Sequence, residues 1–236
     1  MLKEPLSISS PCSIDDKLYN FTKYVERQRL SNFLIKYEIF KKQLCIKGSV
    51  IECGIHQGGG LLTWAKISSI LEPYNYHRKI IGFDTFEGHP KGNKHDKKKP
   101  ARLLKENFNV HSELLDVIKE YDKNRFLNNK EKIEIIKGDA NKTIPQYIQD
   151  NKHLTVSLLF LDFDLYEPTV TALEHFLPRM PKGAILAFNE INNADWQGET
   201  QALLDKLNLN KHKLECLEFE PNISFVEISD SKIKLK

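Results

Sequence analysis

Apolar residues recur along this 236-residue chain in two rhythms. Short continuous apolar runs at about 49–53, 79–84, 132–137, 155–161 and 183–188 read as strands buried on both faces, the signature of a parallel sheet covered by helices. The stretches between them space apolar residues three and four apart, as crossover helices do. Two later runs, Lys213–Phe219 and Ile223–Ile228, are separated only by Glu220, Pro221 and Asn222. So short a link allows a hairpin but no helical crossover, so the sheet is expected to end in an antiparallel pair. Ahead of the first strand, Ser13 and Asp16 have the spacing of a helix cap, followed by apolar Leu18, Phe21 and Val25. A second helical pattern runs through Leu30, Phe33, Leu34, Tyr37 and Phe40 and ends near Gly48. The expected architecture is an α/β domain over 49–236 preceded by a helical cap over 1–48, the two forming one structural unit. The cap would cover the site or a partner subunit.

Composition narrows the class. With 40% hydrophobic and 28% charged residues, the chain is an ordinary globular domain, large enough to bury a core without staples. A net charge of +3 is too small to argue for nucleic acid. The one positive cluster, Lys91 to Arg102 with Lys94, Lys97, Lys98 and Lys99, contains Gly92 and Pro100. It reads either as a solvated surface loop or as a lid that meets an anionic substrate. Cys12, Cys45, Cys53 and Cys216 show no metal or redox spacing and read as free thiols in a reducing compartment. No apolar run reaches membrane length and the N-terminus lacks a signal-peptide core, so a cytoplasmic protein is expected, with no membrane or nucleic-acid partner.

Candidate chemistry gathers at the strand ends. The segment Val50-Ile51-Glu52-Cys53-Gly54-Ile55-His56-Gln57-Gly58-Gly59-Gly60 carries an apolar strand through a glycine-rich turn into a helix. Such a turn lets a ligand meet backbone and the first amides of the helix. A dinucleotide fingerprint would read Gly-x-Gly-x-x-Gly, whereas this loop holds a carboxylate, which would repel a pyrophosphate. It suits a cationic ligand end, such as the ammonium and sulfonium of S-adenosylmethionine; the plain alternative is a tight turn without ligand. The second strand ends in Asp84, placed to accept both hydroxyls of a ribose. The third ends in Gly138-Asp139-Ala140, where Asp139 and the Ala140 amide could meet an adenine, or Asp139 could simply cap the next helix. The fourth ends in Asp162-Phe163-Asp164 and the fifth in Asn189-Glu190. Oxygen ligands on adjacent strand ends suit Mg²⁺, which would orient and acidify a substrate hydroxyl; the alternative is polar strand ends capping helices.

Several segments occur together in one order. They are Glu26-Arg27-Gln28-Arg29-Leu30, the Val50–Gly60 loop, Gly82-Phe83-Asp84-Thr85-Phe86-Glu87-Gly88, Gly138-Asp139, and Leu161-Asp162-Phe163-Asp164-Leu165-Tyr166-Glu167-Pro168-Thr169. Phe188-Asn189-Glu190-Ile191-Asn192 and Trp196-Gln197-Gly198-Glu199-Thr200 complete the series. Over residues 26 to 204 the chain resembles the macrocin O-methyltransferase family, class I enzymes that methylate sugar hydroxyls. The part through Gly198-Glu199-Thr200 is similar to the branch acting on nucleotide-linked deoxyhexoses.

The resemblance implies a Rossmann-like, mostly parallel sheet with a C-terminal antiparallel hairpin. It implies that Glu52, Gly54 and Gly58 cradle the amino-acid end of S-adenosylmethionine, that Asp84 with Thr85 holds the ribose, and that Asp139 with Ala140 meets the adenine. Asp162 would line the cofactor, ligate metal and act as general base, with His56 the reserve base. Asn189 and Glu190 would complete the Mg²⁺ site, and Arg27 and Tyr166 would face the substrate. The family usually has an aspartate where this chain has Asn189, so the metal site has one formal charge less. Relatives that assemble as dimers or larger imply a homo-oligomer. Other acceptors, such as a phenol or a sugar amine, and a cofactor-binding subunit without turnover stay open at this point. A nicotinamide-dependent dehydrogenase or epimerase is disfavoured by the loop and by the lack of a Tyr-x-x-x-Lys pair.

Overall fold

The computed structural model describes residues 6–88, 96 and 110–229. Three short helices, α1 (Leu6–Ser9), α2 (Ile14–Tyr19) and α3 (Phe21–Tyr24), lead into the long helix α4 (Arg27–Lys42). Strand and helix then alternate through β1 (Ser49–Cys53), α5 (Gly59–Leu71), β2 (Ile80–Asp84), α6 (Val110–Lys123), β3 (Ile133–Lys137) and α7 (Ala140–Asp150). They continue with β4 (Val156–Leu161), α8 (Tyr166–Phe176), a 3₁₀ turn, β5 (Ile185–Phe188), α9 (Gln197–Lys206), β6 (Glu215–Leu217) and β7 (Glu220–Glu227).

The sheet runs in the order β3-β2-β1-β4-β5-β7-β6. Strands β1 to β5 are mutually parallel, and β7 lies antiparallel between β5 and β6. This is the mostly parallel sheet with a terminal hairpin that the spacing predicts. Strand order reverses between β1 and β4, so a crevice opens there beyond the carboxyl ends, where open α/β sheets bind ligands. Both faces are covered. Ile51, Leu159, Leu161 and Phe188 pack with residues of α7, α8 and α9, while Val50, Leu158, Phe160 and Ile185 pack with residues of α4 and α5. Trp64 sits at the heart of the second layer, with ring centroids 6.5 Å from Phe40 and 5.6 Å from Phe160.

At the amino-terminal edge of the sheet, buried Arg78 gathers the loops. It pairs with Glu72 at 2.8 Å and donates to Gln43, to Ser157 and to the carbonyls of Leu44, Ile46 and Gly48.

Several boundaries differ from expectation for local reasons. β5 starts at Ile185 because Gly183 adopts φ 85 and turns the chain while its N–H bonds Ile228 O at 2.7 Å. In the hairpin, Glu220, Pro221 and Asn222 belong to β7 and not to the link. Register slips between Cys216 and Leu217, and Pro221 lies opposite that irregularity, where its missing N–H costs no ladder bond.

The N-terminal helices differ most. Ser13 does cap α2, accepting from Asp16 N–H at 3.1 Å, but the helix breaks at Asn20, whose side chain bonds Asp16 O at 2.9 Å. Neither α2 nor α3 buries a residue, and Leu18 and Phe21 are exposed. Helix α4 buries Ser31, Ile35, Lys36, Ile39 and Phe40, whereas Phe33 and Leu34 are exposed. The face turned to the core is therefore rotated from the expected one, toward a lysine with a partner in the sheet. No helix among the described residues is long and apolar enough to cross a membrane.

Candidate active site

The site forms where β1 and β4 diverge. Gly54 follows β1 with φ 84, and a Cβ on it would lie 2.1 Å from the Asp162 carbonyl oxygen. Only glycine allows this backbone-to-backbone approach. The glycine loop is thereby pressed against the turn that carries Asp162. Gly58 then starts α5 with φ 83, and the first intrahelical bond is Leu62 N–H to Gly58 O at 3.0 Å. The amides of Gly59, Gly60 and Leu61 precede that bond and offer donors to an anionic group at the helix N-terminus.

Asp84 locks this loop. Its Oδ2 accepts from His56 N–H at 2.8 Å and its Oδ1 from Phe86 N–H at 2.7 Å. Each carboxylate oxygen keeps a second lone pair for a hydroxyl. Thr85 serves the same turn, bonding Gly88 O at 3.0 Å and accepting from Glu87 N–H. His56 has φ 48 and an exposed side chain on the loop. Gly138 N–H bonds Asp84 O at 2.9 Å, which draws the end of β3 alongside. There Asp139 caps α7 by accepting from Asn141 N–H at 3.0 Å, and Ala140 is buried beneath it. The capping reading of Asp139 is realised in this structure.

Glu52 is buried and does not present an open carboxylate. It shares a strand face with Val50, and the alternation of β1 sends both into the layer beneath α4 and α5. Its Oε1 pairs with Lys36 Nζ at 3.1 Å, both side chains being buried. Its Oε2 is enclosed, and Trp64 Nε1 is a buried donor of the same layer. The Lys36 ammonium lies 4.4 Å over the Phe160 ring and 5.2 Å from that of Trp64. Burial raises the Glu52 pKa, and Lys36 opposes the rise.

The acid-bearing turns are clasped by Glu199. This residue, wholly buried in the first turn of α9, accepts from Phe163 N–H at 2.8 Å and Asp164 N–H at 3.2 Å through Oε1. Its Oε2 accepts from Glu190 N–H at 3.3 Å. One carboxylate so fixes the ends of both β4 and β5, and desolvation, with Asp162 and Asp164 nearby, holds its pKa well above the ordinary range. Gly198 before it lets α9 approach closely: a Cβ there would meet Tyr166 N and Asp96 Oδ1 at 2.5 Å. Asp164 takes φ 60, which bends the chain sharply into α8. Asp162 lies between these supports. Asn189 Nδ2 donates to its Oδ1 at 3.0 Å. Burial, reinforced by Asp164 and opposed by Lys36, pushes its pKa up to about 7.

The two residues expected to face the substrate, Tyr166 and Arg27, both begin helices. The Tyr166 hydroxyl donates to Asp205 at 2.7 Å, and its amide donates to Asp96 at 3.0 Å, so Asp96 serves as an added cap on α8. Arg27 begins α4 with an exposed side chain. The basic Lys91–Arg102 cluster lies outside the described residues apart from Asp96. Sequence reasoning gave no role to Lys36, Asp96 or Glu199. Glu199 left one signal, an acid following a glycine at the start of a helix; Lys36 left only a charge among apolar neighbours. A cavity of about 550 Å³ opens beside the loop, lined by Gln57, Gly58, Gly59, Lys66, Glu113 and Leu114. It lies on the flank of α5 and α6, and none of Asp84, Asp139 or Asp162 lines it.

The residues fit S-adenosylmethionine: unpaired helix amides for its carboxylate and Asp84 for its ribose. They do not fit Mg²⁺. Asn189 directs an N–H donor at Asp162, and the Glu190 carboxylate accepts from Asn193. Both oxygens of Glu199 are spent on backbone amides. Among the described residues no three His, Cys, Asp or Glu side chains converge as a metal site.

The profile of the macrocin-O-methyltransferase (TylF) family matches residues 17–208. The crystal structure of CalS11, a calicheamicin methyltransferase, superposes with a TM-score of 0.89 at 29% identity, covering 95% of this chain and 89% of that one. The apo structure of CalS11, described as a TDP-rhamnose 3'-O-methyltransferase, gives 0.83 at 27% identity, covering 95% and 90%. The O-methyltransferase NovP shares the fold, with a TM-score of 0.59 at 15% identity over 85% and 80% of the two chains. No curated protein matches the sequence. With its family profile spanning the parallel strands β1 to β5 and the clasped acid turns, this chain belongs to the macrocin-O-methyltransferase family and is an S-adenosylmethionine-dependent O-methyltransferase.

Proposed function

We propose that the enzyme methylates a hydroxyl of a nucleotide-linked deoxyhexose. The observation that carries the reading is the Gly54 contact, which seats the cofactor loop directly against the Asp162 turn. A methyl donor held on one and an acceptor hydroxyl held by the other would meet at the strand-order reversal. The likeness to CalS11, whose substrate is a nucleotide-linked 6-deoxyhexose, supports the acceptor class.

The cofactor supplies an activated methyl group on sulfonium sulfur. The chain's own work is positioning and proton removal. Amides of the α5 N-terminus and Asp84 fix the donor; Asp139 and Ala140 border the adenine end. Asp162 accepts the proton of the attacking hydroxyl, and His56 is the other base within the loop. Arg27 and Tyr166 border the acceptor side. No step is routed through Mg²⁺, since the donor set does not suit it.

The protein acts in the cytoplasm, consistent with its free cysteines, and assembles with further copies of itself through the 1–48 cap. Exposed Ile14, Leu18, Tyr19 and Phe21 on α2 and α3 support that assembly surface. Calorimetry with S-adenosylhomocysteine tests the cofactor reading: wild type binds and Asp84→Ala does not. Transfer of labelled methyl to a TDP-deoxyhexose and not to a catechol tests the acceptor. Binding lost in the wild type, or transfer to catechol alone, would overturn the respective half.

A further inference from the structure

The two acid-bearing turns are tied together by hydrogen bonds of the chain itself. Across them stands a hydrogen bond, Asn189 Nδ2 to Asp162 Oδ1 at 3.0 Å, where a shared metal would need two oxygens facing inward. The carboxylates that could compensate are already engaged. Glu199 gives both oxygens to the Phe163, Asp164 and Glu190 amides, and Glu190 accepts from Asn193.

We propose that Asn189 stands in for a divalent cation: its amide aims Asp162 at the acceptor hydroxyl, and methyl transfer needs no metal. Asp162 Oδ2, which carries no hydrogen bond among the described residues, receives the proton. As the acceptor oxygen bonds the methyl carbon, the carbon–sulfur bond breaks with its electron pair on sulfur. The hydroxyl proton passes to Asp162 and then to solvent. Asn189 is a positioning residue in this scheme and takes no proton. The proposal rests on the methyltransferase reading above.

The test uses the full chain, stripped with a chelator and loaded with S-adenosylhomocysteine for binding or S-adenosylmethionine for turnover. Wild type should keep its turnover within about twofold after chelation and should take up no Mn²⁺ by calorimetry or electron paramagnetic resonance. Asn189→Asp should bind Mn²⁺ and become dependent on added Mn²⁺ or Mg²⁺ for turnover. Asn189→Ala should lower kcat about tenfold or more while the S-adenosylhomocysteine Kd moves little, the split expected when a proton acceptor loses its aim. Wild-type turnover that chelation abolishes and Mg²⁺ restores would overturn the proposal, as would stoichiometric Mn²⁺ binding that Asp162→Ala removes. Failure to bind S-adenosylhomocysteine at all would instead sink the methyltransferase reading, so the two failures are distinct.

Discussion

A single carboxylate, Glu199, satisfies three backbone amides on two strand ends and so governs the aim of Asp162 without facing the reaction itself. Glu199→Ala leaves those amides without partners in a packed interior, at a cost of about 1–3 kcal/mol for such a loss. Urea titration should show that destabilisation, and kcat should fall further than cofactor affinity. At the proton acceptor, Asp162→Asn keeps the shape but cannot take a proton. Its kcat should drop by about 10²- to 10⁴-fold with S-adenosylhomocysteine affinity nearly unchanged. Both expectations could be written only with side chains in place. The motif Asp162-Phe163-Asp164 announces acids at a strand end, but nothing in its spacing says that an acid 37 residues beyond Asp162 would hold its amides. The surroundings of Glu52 were hidden for a related reason. Its place before a glycine loop is plain in the sequence, whereas its burial beside Lys36 depends on which strand face the α4 layer covers.

Among the elements, the strands were legible because parallel strands buried on both faces leave continuous apolar runs that few other structures produce. The helices before β1 were not. The apolar residues of α2 and α3 find no core among the described residues, and α4 turns Ile35, Lys36 and Ile39 inward, where Lys36 pairs with Glu52. Two buried cations at the amino-terminal edge of the sheet give checks at this scale. Replacing Arg78 with Met strands Glu72 and the loop carbonyls it gathers, a loss of about 3–5 kcal/mol for a broken buried pair, readable from the urea midpoint. Lys132, buried and donating to Asn75 O at 2.7 Å, has its pKa lowered to about 8, chiefly by desolvation. Below that value the lysine is charged in both folded and unfolded chains. Above it the folded chain releases the proton while the unfolded chain keeps it up to about 10.4, so this group adds stability as pH rises between the two. Comparing the Tm of wild type and Lys132→Met from pH 7 to 10 should show that increment in the wild type alone.

Across the whole molecule, removal of residues 1–24 should lower the mass seen by light scattering while leaving S-adenosylhomocysteine affinity intact, since α4 and the crevice remain. Unchanged mass would move the assembly surface elsewhere. The sheet order has a consequence for how the enzyme comes into being. Strand β5, which leads into Asn189, gains its second neighbour only from β7, residues Glu220–Glu227. On the ribosome β5 stays a bare edge until residue 227 has left the exit tunnel, long after the cofactor loop has been made. The edge that carries Asn189 is therefore closed by the last strand of the described residues, far along the chain from the loop that meets the donor.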